Sequence, residues 1–233
     1  GLERYDGYGF RSYLYDAFNP TGLSGYKVTS IVEDSSGYIW AGTLTDGLNR
    51  LDRRTDKFTH FIHNPRDPQS LSGAKINALI TDRYGNVWIA TDKGLDRFNK
   101  RTGKIERYAA SRVNGRSFAQ PTSLFVDRVG QLWVCTRGGY SDDSSEEIGT
   151  SMSVYDEPTD SFRTWTLSTT ERRDSRILGN GPDGTLELGF LSHGNRNNAD
   201  PDFIRRFDPK SGTVHILRVA TSIEGSSRAK YAL

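Results

Sequence analysis

Short runs that mix β-branched, aliphatic and aromatic residues with single polar ones recur along the whole chain, each stopped by Gly, Asp, Asn or Pro. Val28 to Val32, Phe58 to Phe61, Ile76 to Ile80 and Val214 to Leu217 are examples. Side chains on a strand alternate between its two faces, so these runs predict β-strands separated by tight turns. No stretch of useful length carries the 3.6-residue apolar stripe of an amphipathic helix.

The runs are also periodic. Asp34-Ser-Ser-Gly-Tyr-Ile-Trp40, Asp82-Arg-Tyr-Gly-Asn-Val-Trp88 and Asp127-Arg-Val-Gly-Gln-Leu-Trp133 share the pattern Asp-x-x-Gly-x-aliphatic-Trp, with the Trp residues 48 and then 45 positions apart. A fourth copy, Pro182-Asp-Gly-Thr-Leu-Glu187, has Glu where Trp is expected. A second anchor recurs in phase as Gly1-Leu-Glu-Arg-Tyr-Asp6, Gly47-Leu-Asn-Arg-Leu-Asp52, Gly94-Leu-Asp-Arg-Phe-Asn99, Ser151-Met-Ser-Val-Tyr-Asp156 and Phe203-Ile-Arg-Arg-Phe-Asp208. Each leads through a polar turn into a further short strand.

Each period holds four strands, a to d, and four antiparallel strands in about 45 residues make the blade of a β-propeller. The expected fold is therefore all-β: a partial blade at 1–15, blades at about 26–63, 74–110, 120–168 and 174–218, and the start of a further blade or a closing strand at 219–233. The turn Gly supplies a positive φ and the turn Asp a hydrogen-bond acceptor for the backbone, while Trp fills the space between blades. Cys135 aligns with Gly42 and Ala90 and reads as a small buried residue. His60 and His215 fall in outer strands d, where exposure is expected. Thr29, Asn77, Thr122 and Arg176 open the inner strands and are expected at the mouth of a central channel.

Composition narrows the function. Thirty-one Lys plus Arg against 29 Asp plus Glu leave a net charge of +2, too small and too scattered for a dedicated nucleic-acid surface. No apolar run approaches the length of a membrane helix, and the amino terminus does not read as a signal peptide. The one Met is Met152, so the chain reads as a mature piece or a fragment, and about five periods suggest a larger propeller cut inside a blade. A single Cys excludes an intramolecular disulfide. Neither a His-based zinc motif, a phosphate loop nor a nucleophile elbow is present, so no catalytic residue, metal or cofactor is assigned.

Asp-Gly-Leu-Asn-Arg-Leu-Asp at 46–52, Gly-Leu-Glu-Arg-Tyr-Asp-Gly-Tyr-Gly-Phe at 1–10, Asn-Val-Trp-Ile-Ala-Thr at 86–91 and the Asn-Pro linkers at 19–24 and 64–72 resemble the two-component regulator propeller repeats of bacterial hybrid histidine kinases and related signalling proteins. The resemblance covers residues 1–136 strongly and the remainder weakly. It implies a periplasmic sensor region belonging to an inner-membrane protein, working beside adjacent domains of the same polypeptide and as a homodimer in the full-length protein. It also implies that this segment touches no membrane and that a kinase or cyclase output, if there is one, lies outside the chain.

Loop lengths point to where a ligand would sit. From the Trp position to the Asp or Asn ending strand c the spacing is 12, 11, 23 and 21 residues, so two adjacent blades carry long b-to-c insertions on one face. Long irregular loops on a rigid scaffold are common binding elements. The first, 137–150, offers Tyr140, Asp142, Asp143 and Glu146; the second, 191–202, offers His193, Asn195 and Arg196. Carboxylates, amides, Arg and an aromatic face suit a small polar ligand such as an oligosaccharide. The acids of the first loop match no calcium-loop spacing. The expectation is a non-enzymatic, ligand-sensing domain. The alternatives are a propeller polysaccharide lyase or glycosidase, which needs paired carboxyls across a cleft, and a protein-interaction scaffold.

Overall fold

The computed structural model describes residues 1–108, 120–137, 139–141, 144–148, 150–168, 174–191 and 204–217, with main chain alone for 139–141, 144–148, 168, 174–175 and 190–191. Among the described residues a hairpin, β1 (Leu2–Tyr5) and β2 (Phe10–Tyr13), precedes four four-stranded antiparallel sheets. The first sheet is β3 (Val28–Glu33), β4 (Ile39–Thr43), β5 (Leu48–Asp52) and β6 (Lys57–Phe61), and the second β7 (Ile76–Thr81), β8 (Val87–Thr91), β9 (Leu95–Asn99) and β10 (Lys104–Arg107). The third comprises β11 (Pro121–Val126), β12 (Leu132–Thr136), β15 (Thr150–Asp156) and β16 (Ser161–Ser168), with a separate hairpin β13 (Gly139–Ser141) and β14 (Ser144–Ile148) inserted. The fourth is β17 (Asp174–Asn180), β18 (Leu186–Leu191), β19 (Ile204–Asp208) and β20 (Thr213–Leu217). Inner strand packs on inner strand, β3 against β7, β7 against β11 and β11 against β17, which is the blade arrangement of a β-propeller.

The cores lie between blades, because a sheet with two apolar faces must bury each against a neighbour. Trp40, Leu48 and Leu71 pack against Leu79, Val87, Ile89 and Phe98 of the second blade. Trp88, Leu95 and Tyr108 meet Leu132, Val134, Tyr155 and Phe162 of the third, and Trp133, Cys135 and Met152 meet Ile177, Leu186, Leu188 and Phe207 of the fourth. Cys135 is fully buried, as its alignment with small residues implied.

The repeated Asp does more than hold its turn. One oxygen accepts the turn amides, from Ser36 and Tyr38 to Asp34 Oδ1 at 2.8 and 3.2 Å, while the other accepts the indole N–H of Trp40 at 2.7 Å. Asp82 and Asp127 bind Trp88 and Trp133 in the same way, each at 2.9 Å. A carboxylate with two lone-pair-rich oxygens can serve both groups, and a buried indole N–H needs such a partner. In the fourth blade both members change together: Gly181 stands six residues before Glu187, and the turn survives on Gly181 N–H to the Thr185 carbonyl at 2.8 Å. Glu187 instead pairs with Arg206 at 3.2 Å, and Arg206 is its cross-strand partner just as Arg97 is that of Trp88.

A second coupling links the c-to-d turn of one blade to strand d of the blade before. The turn position with positive φ is Asp56, Gly103, Asp160 or Gly212. Where the preceding strand d supplies Tyr13 or Tyr108, the turn residue is Asp, and the phenols donate to Asp56 and Asp160 at 2.7 Å each. Where it supplies Phe61 or Trp165, the turn residue is Gly; a Cβ at Gly212 would meet the Trp165 indole at 2.9 Å. The Tyr–Asp bond thus offsets the left-handed backbone that Asp otherwise resists. Tyr108→Phe and Asp160→Gly should each destabilise by about 1 kcal/mol. The double variant, which rebuilds the Phe61 and Gly103 combination, is expected to cost less than their sum by at least about 0.5 kcal/mol in a denaturation cycle. Additive costs would remove the coupling.

One expectation is extended and one corrected. Thr29 is exposed and Asn77 and Thr122 are half-buried, and they do more than open their strands. Each sits at a bulge in its inner strand. Thr29 Oγ1 donates to the Ile76 carbonyl at 2.7 Å and Asn77 Nδ2 to the Pro121 carbonyl at 3.0 Å, each reaching the start of the next blade. Arg176 is exposed and regularly paired with Gly189, because the fourth blade moves its bulge to Leu178. His60 is not a free surface residue. It is half-buried with Nε2 2.7 Å from the Gly22 carbonyl, fastening the incoming linker. Arg107 stands at the equivalent place in β10 and holds the carbonyls of Asn64, Asp67, Ser70 and Leu71. His215 is exposed, as read from the sequence.

Candidate functional site

In this topology the a-to-b and c-to-d turns share one face, and the b-to-c connections share the other with the linkers between blades. On the second face the insertion at 137–150 is not irregular throughout. Its main chain pairs Gly139 with Ile148 and Tyr140 with Glu147, forming a two-stranded ribbon separate from the four-stranded sheet of the blade. Tyr140 lies on β13 and Glu146 on β14. Asp142, Asp143, His193, Asn195 and Arg196 lie outside the described residues.

On the opposite face an open groove of about 550 Å³ runs over the second blade, lined by Tyr84, Asn86, Arg97, Asn99, Lys100 and Arg101. A smaller cleft of about 170 Å³ adjoins it across Tyr84 and reaches Val129, Gln131, Tyr155 and Glu157 of the third blade. The turn motif explains why these residues converge. Asp82 and Gly85 set the turn geometry, so the two free positions between them, Arg83 and Tyr84, project from it. Tyr84 donates its hydroxyl to Glu157, and Arg83 pairs with the same carboxylate at 3.0 Å. These bonds hold Glu157 below the usual carboxylate range, the Tyr84 hydroxyl foremost, and raise the Tyr84 phenol.

Beneath the groove Arg97 is the best-held charge at this interface. Its side chain is 15% exposed and bridges to Glu106 at 2.7 Å, while Nη1 donates to Tyr155 Oη at 2.8 Å. Its guanidinium lies 5.3 Å from the Trp88 ring centre and 5.2 Å from that of Tyr108. Burial opposes its charge, but Glu106 and the ring hydroxyls outweigh it, and its pKa is raised. Burial pushes the Tyr155 phenol up to about 12, with its hydrogen bond to Asp160 adding to the effect. This is an electrostatic staple between the second and third blades, with its donors engaged.

The amides of the groove are engaged as well. Asn86 Nδ2 donates to Asp82 and its Oδ1 accepts the Lys100 amide; Asn99 Nδ2 donates to Glu106. Lys100 Nζ reaches Ser35 of the preceding blade at 2.8 Å. What the groove offers to solvent is therefore the 52%-exposed Tyr84 ring and the cationic turn Lys100-Arg101. Such a surface suits weak polar or anionic contacts. Among the described residues no group of three or more His, Cys, Asp and Glu side chains could hold a metal ion. Loop length does not point to this groove, because it is built from two short turns and the end of β9; the signal in the sequence was the variable pair inside Asp-Arg-Tyr-Gly.

Comparison with known proteins agrees with this architecture. The chain superposes on the extracellular domain assigned to a hybrid two component system, BT3049, of B. thetaiotaomicron, with a TM-score of 0.69 and 20% identity over 92% of this chain and 27% of that one. It also superposes on an auxiliary nutrient binding protein from Bacteroides thetaiotaomicron VPI-5482, with a TM-score of 0.53 and 10% identity over 82% of this chain and 41% of that one. The chain thus spans well under half the length of either structure. None of the curated proteins matches it by sequence. The family described as two component regulator propeller matches residues 22–45 and 70–93, the two segments that run from a Leu-Ser linker through strands a and b. Two of the repeating units of this all-β chain, those of the first and second blades, are two component regulator propeller repeats.

Proposed function

We propose that this chain is part of the extracytoplasmic, periplasmic sensor region of a bacterial two-component signalling protein. It binds a small polar ligand, an oligosaccharide in the reading favoured here, and has no catalytic activity of its own. The observation that carries the proposal is the match of two successive repeats to the two component regulator propeller family. The superposable domain assigned to a hybrid two component system is in keeping with it. In this reading the ligand face is the one bearing the β13–β14 ribbon and the 191–202 insertion, because the opposite groove has committed its amides and Arg97 to holding blades together. Adjacent domains and a second copy of the full-length protein would carry the signal to an output outside this chain.

A panel of neutral and acidic oligosaccharides tests this by thermal shift and by reducing-end assay. A ligand at a hundred times its Kd is expected to stabilise the fold by about 2.7 kcal/mol, without product formation. Replacing residues 137–150 by a two-residue turn is expected to abolish that shift while leaving the unliganded midpoint nearly unchanged. Turnover would overturn the non-enzymatic reading. A panel without any shift would replace the oligosaccharide by a protein partner and make the chain a scaffold.

A further inference from the structure

The Gly-Leu-Asx-Arg motif places an amide at Asn49 and an acid at Asp96 in equivalent sites of successive blades, both fully buried. Asn49 uses both ends of its side chain: Oδ1 accepts the Ser24 N–H at 2.9 Å, and Nδ2 donates to the carbonyl of its cross-strand partner Ala41 at 3.4 Å. Asp96 Oδ2 likewise accepts the Ser72 N–H at 2.8 Å and the Ser72 hydroxyl at 3.0 Å. Its Oδ1, however, is buried with no hydrogen-bond partner among the described residues. The cross-strand partner of Asp96 is Ile89, the counterpart of Ala41. A carboxylate cannot donate to a carbonyl, whereas a carboxylic acid can.

We propose that Asp96 is a proton-operated latch on the Leu71-Ser72 linker that joins the first and second blades. Protonated at Oδ1, it donates to the Ile89 carbonyl as the Asn49 amide donates to that of Ala41. Ionised, it sets a buried negative charge against that carbonyl, and the linker loosens. Leu71 is itself fully buried between the blades, so the latch acts on an element of the inter-blade core.

The surroundings favour the protonated form. Burial pushes the Asp96 carboxyl up to about 6, against the Ser72 hydrogen bonds and the positive fields of Arg107 and His63. Arg107 on β10 is occupied by linker carbonyls, and His63 Nδ1 lies 2.7 Å from the Leu71 carbonyl. On the β8–β9 turn, Asp92 and Lys93 flank Gly73, the residue after Ser72. The folded chain therefore holds this proton more tightly than the unfolded chain, whose carboxyl has the ordinary value of 3.8. Linkage then makes the stabilisation greatest below about 4, declining as pH rises and gone above about 6. A domain exposed to the outer milieu would in this way tighten its first blade interface on acidification.

Amide hydrogen exchange at pH 5, 6, 7 and 8, corrected for intrinsic rates, tests the latch with an internal control. Protection of the Ser72 amide is expected to fall about tenfold or more between pH 5 and pH 8, while the Ser24 amide on Asn49 stays constant. Asp96→Asn should flatten the Ser72 profile at the high-protection level, and His63→Gln, which removes an opposing positive field, should retain the fall with its midpoint moved to higher pH. Parallel behaviour of Ser72 and Ser24, a response persisting in Asp96→Asn, or one lost in His63→Gln would each overturn the proposal. So would an Asp96 carboxyl resonance in the unsubstituted chain titrating in the ordinary aspartate range, a measurement independent of how the variants fold.

Discussion

Replacing Trp88 by alanine is expected to lower the stability of the domain by about 3–5 kcal/mol, which for a chain of this size is a fall in Tm of about 10 °C. Trp88 is fully buried and is the centre of an aromatic group at the interface of the second and third blades, with ring centres of Tyr155 at 4.8 Å and Tyr108 at 5.0 Å. Its removal also strips Asp82 Oδ2 of the indole donor and Arg97 of one of the faces it lies over. Asp82 would keep its turn amides, so the a-to-b turn should survive while the interface opens. Because each blade touches only its neighbours, the loss should be local. Hydrogen exchange is expected to accelerate in β8, β9, β12 and β15 well before β3 and β4. A fall of under about 2 °C, or uniform acceleration across the blades, would contradict this account of where the core lies.

Gly47→Ala is expected to be the most damaging single-methyl addition, costing at least about 2 kcal/mol. Gly47 has φ +76°, and a Cβ built there would lie 2.4 Å from the Phe61 carbonyl oxygen, a main-chain atom that cannot turn aside. The same residue donates its N–H to Ala74 and accepts from the Thr43 N–H and hydroxyl, so the b-to-c turn cannot shift without losing these bonds. Gly103→Ala supplies the comparison. Its φ is +69° but its Cβ would meet nothing within 4 Å, so it should cost only the conformational part, about 1 kcal/mol. Equal costs for the two, measured by denaturant midpoint, would show that the clash at Gly47 relaxes freely.

The contrast between these two glycines shows what was legible in advance. That both positions need a turn follows from the sequence; which of them faces another strand does not. The same holds for the repeated Asp. Its place before Gly predicted a turn, and Gly37, Gly85 and Gly130 do adopt positive φ. Its second bond, to an indole six residues on, depends on the strands pairing in register. His60 was misread for the same reason, since an outer strand is exposed unless a linker brings a carbonyl to it. The ligand residues were proposed from loop length, which reports available chain and not its conformation. The ribbon at 139–148 has its own strand pairing, and the groove on the opposite face is made of turns too short to attract attention.

What the sequence by itself determined is the unit: a period near 45 residues, four short strands, a Gly turn and an inward Trp, all consequences of local backbone preference and of apolar spacing along one strand. What only the tertiary structure decided is how units meet. The Tyr–Asp and Phe–Gly alternation across interfaces, the Arg97 staple and the different fates of Asn49 and Asp96 all join residues of different strands or blades. Spacing along one chain constrains which residues share a face; it does not say which face of the next blade they will touch. That choice is made when apolar sheets close on one another, and it converts two similar repeats into one blade held by an amide and one held by an acid.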